Sequence, residues 1–205
     1  MLKWFAARAS NTRKAKQLYG AVVAAARQSE FYRDYGVPDT LNGRYEMIVL
    51  TLFQVLERLR AEGELAKETS RLTLEAFFTD MDDCMREIGV GDLSVPKKVK
   101  KAAAGFYERT KAYRAALDAD DREAMAAALD LFIAGEGVIG VQDKVGDRPP
   151  ASASHPPQSK PDAPTHVRIK SALLAAHAFR QREALCAADG EAVIAGLAFT
   201  TPLPA

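Results

Sequence analysis

Cysteine is scarce: the 205-residue chain has two, Cys84 and Cys186, on separate stretches that read as helical. Neither a disulfide framework nor a CxxC redox pair can be built from them, and a reducing compartment is the natural reading. An excess of either charge is also missing. With 28 basic and 27 acidic residues the formal net charge is +1, which points to no particular partner. The longest stretch without charge, Ala192 to Ala205, contains Gly196, Pro202 and Pro204. It falls well short of the roughly 20 apolar residues a membrane-spanning helix needs.

Reactive constellations are absent too. His155, His166 and His177 have neither HExxH nor paired-cysteine spacing, so no metal site is expected. There is no GxSxG elbow, and Cys84 reads as a small buried apolar residue. Gly135 to Gly140 carries the letters GxGxxG, but a phosphate site needs a strand before it and a helix after it. Here a helical pattern precedes and a Pro-rich stretch follows. Asp80, Asp82 and Asp83 could be imagined as an acid/base pair, yet Asp82 falls off the helical face shared by the other two. A solvated acidic face is the better reading. No catalytic residue and no cofactor is expected.

What is present is helical periodicity, without sustained alternation of period two. Asn11 to Gln28 reads as a first helix behind a Ser10 or Asn11 cap, with Leu18 and Val22 on one face. The aromatic cluster Phe31, Tyr32 and Tyr35 leads into a Gly36-Val-Pro turn. From Tyr45, Ile48, Val49, Leu52, Val55, Leu56 and Leu59 mark a second helix that stops at Gly63. Leu65 to Ile88 reads as a third, its face rich in Phe and Met through Phe77, Phe78, Met81 and Met85. Ser94 is placed to cap a fourth helix that tolerates Pro96 in its first turn. Met125, Leu129, Phe132 and Ile133 mark a short fifth.

The class is therefore all-α, a compact domain of about five to six helices. We divide the chain into a basic N-terminal arm (1–13), a helical domain (14–145), a flexible Pro/Ser-rich linker (146–165) and a helical tail expected to pack on the core (166–205). The arm carries Lys3, Arg8 and Arg13 beside Trp4 and Phe5, with no acid before Glu30. Two readings stay open for it, a solvated terminus and a membrane-surface arm.

Lys97, Lys98, Lys100 and Lys101 conflict with simple stability rules. They sit at a helix start, where the partial positive charge of the helix disfavours cations. Pairing with Asp80, Asp82, Asp83 and Glu87 across a helical hairpin would explain them. So would an anionic partner such as lipid headgroups, nucleic-acid phosphate or an acidic protein.

Two stretches carry a resemblance: Gly36-Val-Pro-Asp-Thr-Leu-Asn-Gly-Arg-Tyr-Glu-Met-Ile-Val-Leu, and Phe78-Thr-Asp-Met-Asp-Asp-Cys-Met-Arg-Glu-Ile-Gly-Val-Gly-Asp-Leu-Ser-Val-Pro-Lys-Lys-Val-Lys-Lys followed by Phe106-Tyr-Glu-Arg. Both resemble signature runs of the ubiquinol-cytochrome c chaperone family. The likeness spans about Lys14 to Leu117, and the tail looks like a diverged form of the family's end. His177 stands where a tyrosine would suit the pattern better, and the Pro-rich insertion is a further departure. The resemblance implies a helical assembly factor that binds newly made cytochrome b for insertion into complex III. It also implies work at an anionic membrane surface, with a small partner subunit and the ribosome as further partners in mitochondria. The charged residues of the matching blocks, Asp39, Arg44, Glu46, Asp82 and Asp92, join the four lysines as candidate partner contacts. The matching block begins near Lys14, which favours an alphaproteobacterial protein at the cytoplasmic face of the membrane over a mitochondrial one of the matrix and inner membrane. The competing reading is a nucleic-acid or ribosome-binding module using Lys97 to Lys101 with Tyr107 and Arg109; direct DNA binding is not expected.

Overall fold

A computed structural model describes residues 2–135 and 169–200. Within them the chain forms eight helices and no strand: α1 (Leu2–Ala26), α2 (Ser29–Arg33), α3 (Leu41–Leu59), α4 (Glu64–Glu87), α5 (Val95–Asp118), α6 (Arg122–Ala134), α7 (Ser171–Ala187) and α8 (Gly190–Ile194). The Pro-rich stretch, His155, His166 and the GxGxxG letters beyond Gly135 lie outside the described residues.

The first helix does not begin at a Ser10 or Asn11 cap. Residues 2–10 include no Gly or Pro and are rich in alanine, the best helix former, so α1 runs through Ser10 and Asn11. Ala15, Leu18, Val22 and Ala26 are its buried face. Phe31 and Tyr32 of the aromatic cluster lie in one turn of helix, α2, ahead of the Gly36-Val-Pro turn, with Phe31 buried.

The cap of α3 is Thr40, whose side-chain oxygen accepts a hydrogen bond from the Gly43 backbone NH at 3.1 Å. Gly43 has a second role. A Cβ there would stand 1.9 Å from the Pro38 carbonyl oxygen, so only glycine lets the preceding segment cross the first turn of α3. At the far end of α4, Gly89 takes φ +83°. The Gly89 NH bonds to Arg86 O at 3.0 Å and the Val90 NH to Met85 O at 3.0 Å, a Schellman closure. Ser94 does occupy the cap position of α5, with Pro96 in the first turn, but its side chain makes no capping bond. Asp121 caps α6 through the Ala124 NH at 2.8 Å.

α3 is the central element, touching α1, α4, α5, α6, α7 and α8. Beyond the apolar stripe read from sequence, Met47, Leu50, Thr51, Phe53 and Gln54 are also buried. From Tyr45 to Val55 every residue is buried, so this part of the helix has no solvent face and its one-stripe reading falls short. Glu46, in the second turn of this helix, is buried and takes two hydrogen bonds from Arg109 of α5, each 2.6 Å.

Residues 169–200 lie against this body. The Lys170 NH donates to Tyr35 O at 2.8 Å, and α7 packs on α6 and α3. Its inward face is Leu174, Ala175, His177, Ala178, Phe179, Gln181 and Leu185, whereas Leu173 is exposed.

Candidate partner-binding face

The Phe and Met residues of α4 make a core, and the same residues floor a groove. Phe77, Met81 and Met85 are buried. Phe77 stacks on Tyr45 of α3 with centroids 6.2 Å apart and meets Phe106 of α5 at 5.7 Å. On the outer side of this cluster, α1, the start of α3 and the end of α4 leave a shallow groove of about 130 Å³. Its mouth is set by Leu41, 45 % exposed, and Ile88, 43 % exposed. Large apolar side chains open to solvent beside an apolar floor are what a groove for an apolar segment requires.

Charge surrounds the groove. Arg27 and Arg44 line it together with Asp80 and Cys84. Asp80 accepts a hydrogen bond from the Tyr19 hydroxyl at 2.7 Å, tying α4 to α1. Burial, followed by that carboxylate, pushes the Tyr19 hydroxyl well above the usual tyrosine range. Arg44 binds Asp39 at 2.7 Å at the surface, and this bond holds the Asp39 carboxyl below its ordinary value. Cys84 is exposed, not buried as the sequence reading had it. Partial burial and the neighbouring acids Asp80 and Glu87 raise its thiol, which works against a nucleophilic thiolate.

The candidate contacts therefore separate. Asp39 and Arg44 pair at the surface, and of the two Arg44 lines the groove. Asp82 and Asp92 are joined through Arg86, at 2.6 Å to each, which pulls the α4–α5 loop onto the end of α4. Glu46 leaves the set of surface contacts: burial raises its carboxyl against the pull of Arg109, and it acts inside the scaffold. Of the α4 acids that could pair with the lysines, Asp80 is bound to Tyr19 and Asp82 to Arg86. Among the described residues no ion pair within 4.0 Å involves Lys97, Lys100 or Lys101, and all three are exposed. Leu41, Leu93, Arg27 and Arg86 were not singled out from sequence. Leu93, an apolar residue in a Gly-rich connector, was the one readable signal.

Among the described residues no three His, Cys, Asp or Glu side chains converge as a metal site. No helix among them is long and apolar enough to cross a membrane. Fold and site together define a helical binding scaffold, with a firm core behind an apolar groove and a charged surround. The chain belongs to the ubiquinol-cytochrome C chaperone family, whose model matches residues 33–199. The solved structure of the Cbp3 homolog from Brucella abortus is similar at a TM-score of 0.71 and 34 % identity, over 95 % of this chain and 93 % of that one. Ubiquinol-cytochrome-c reductase complex assembly factor 1 of Xenopus laevis is 25 % identical over 115 residues. Its counterpart in Mus musculus is 26 % identical over the same length. The matches cover 56 % of this chain, and 57 % of the frog protein and 39 % of the mouse protein.

Proposed function

We propose that this protein is a non-catalytic assembly chaperone that binds newly made cytochrome b and promotes its incorporation into ubiquinol-cytochrome c reductase, working at the membrane face. The observation that carries the reading is the groove, floored by Phe77, Met81 and Met85 and opened by Leu41 and Ile88. Methionine and aromatic side chains adapt to varied apolar segments, and the flanking Arg27, Arg44 and Asp80 give such a segment an orientation. Family membership and the names of the complex III assembly factors it resembles support the same reading.

The test is affinity capture of the tagged protein from membranes of its own host, probed for cytochrome b. Wild type is expected to retain cytochrome b. The double variant Leu41→Glu/Ile88→Glu, altered only at exposed positions, is expected to lose at least tenfold of that signal. No cytochrome b with either protein would overturn the assignment, and equal retention by both would remove the groove as its seat.

A further inference from the structure

The turn that follows α4 presents Leu93 to solvent at 93 % exposure, the most exposed of the large apolar residues described. It is not a loose end. The Schellman bonds at Gly89 and Val90 fix the turn on one side, and Ser94 NH to Gly91 O at 2.7 Å closes the other. Arg86 grips Asp92 next to Leu93 at 2.6 Å, and Val95, two residues on, is fully buried. A leucine held out by this many constraints is positioned.

The solvent face of α5 continues from that point. Helical geometry puts Lys97, Lys100, Lys101, Tyr107 and Lys111 on one side, all exposed, with Ala104 between them and Glu108 the one acid in the stripe. At 1.5 Å per residue the stripe from Lys97 to Lys111 is about 21 Å long. Val95, Ala102, Phe106 and Tyr113 anchor the opposite face in the core. The first turn of α5 contains no acid that would offset the lysines locally.

We propose that Leu93 and the Lys97–Lys111 face of α5 form a docking surface for an anionic lipid bilayer, with Leu93 and Tyr107 entering the headgroup region and the lysines on lipid phosphates. The mixture decides the partner class. Lysine stems and a tyrosine ring suit the boundary between water and acyl chains, where each has an apolar body and a polar end. A rigidly presented aliphatic tip gains from such a boundary, and it gains nothing from a nucleic-acid backbone. The surface is distinct from the groove, so its test is independent of cytochrome b capture.

The experiment is flotation of the full chain with vesicles of phosphatidylcholine and phosphatidylglycerol at 7:3, and with pure phosphatidylcholine. Wild type is expected to float with the anionic vesicles at least tenfold better than with the neutral ones. Lys97→Gln/Lys100→Gln/Lys101→Gln is expected to lose about tenfold, and Leu93→Ser about threefold with an unchanged salt dependence. The basic start of α1 is intact in every variant. Binding that persists unchanged in both variants therefore overturns the proposal and moves lipid contact to that helix. A second readout places tryptophan at position 93 in a Trp4→Phe background. Its emission should shift to the blue and be quenched by brominated lipid. No shift overturns insertion of the tip, and lysine-dependent binding to a single-stranded RNA without vesicle binding overturns the partner class.

Discussion

The pair Glu46–Arg109 decides more at the level of single residues than its exposure would suggest. Both are buried, joined by two bonds of 2.6 Å, and Arg109 also donates to Gly105 O and lies 4.6 Å from the Phe132 ring centroid. Taking one partner away strands a charge in the core. Glu46→Ala is expected to cost about 3–5 kcal/mol by urea unfolding, while Glu46→Leu/Arg109→Met should recover most of that loss. A double variant as unstable as the single one would mean the pair is not the source of the loss. The sequence placed Glu46 in a signature block and so on a partner surface. Nothing local to a charged residue in an apolar helix tells whether its partner comes from outside or from α5.

Among the elements, α7 shows how an ambiguous pattern becomes a firm helix. His177 is buried between the rings of Phe31, 5.0 Å away, and Tyr35, 6.4 Å away. Burial, helped by Arg180, lowers its pKa to about 4. Above the unfolded value near 6.5 the ring is neutral in both states and the packing is undiminished. As pH falls below 6.5 the unfolded chain takes up the proton first, so stability falls with pH and the loss levels off below about 4. Between pH 7.5 and 5 this one group should cost about 2 kcal/mol, and His177→Phe, which keeps a ring in the same slot, should remove that share of the pH dependence. Denaturant titrations of both proteins at the two pH values check it; parallel losses would exclude His177 as the cause. This burial was not legible in advance, because small alanines surround His177 and the helix shows no clear stripe.

Across the whole molecule, Arg58 of α3 is the clamp that holds the tail. It donates to Leu185 O at 2.8 Å and Ala188 O at 3.0 Å, carbonyls at the end of α7 that have no partner within the helix, and it pairs with Glu62. Arg58→Ala is expected to cost about 2 kcal/mol and to speed amide exchange in Ser171–Ala187 ahead of α3, as bonds from a charged donor are lost. Uniform acceleration over both helices would show that the tail opens only with the core. The molecule also places its two surfaces beside each other. Ile88 at the groove and Leu93 at the proposed lipid contact are the two sides of one turn.

By itself the sequence determined the helical class, the positions of α3 to α6 within a few residues, the Gly89 stop and the family, whereas α3 ends at Leu59 and Gly63 is the N-cap of α4. These rest on local information: the period of apolar residues, turn residues at fixed places, and unusual residues in fixed order. Tertiary structure alone decided which residues of α3 are core on every side, that Glu46 belongs to Arg109, that Cys84 is open to solvent and that the acids of α4 are taken by Tyr19 and Arg86. It also decided that Leu41 and Ile88 frame one groove though they are far apart in the chain. The reason is physical: periodicity records that a face will be buried, whereas the partner that buries a charge or leaves an apolar residue uncovered is brought by another helix, at a distance the local pattern does not encode.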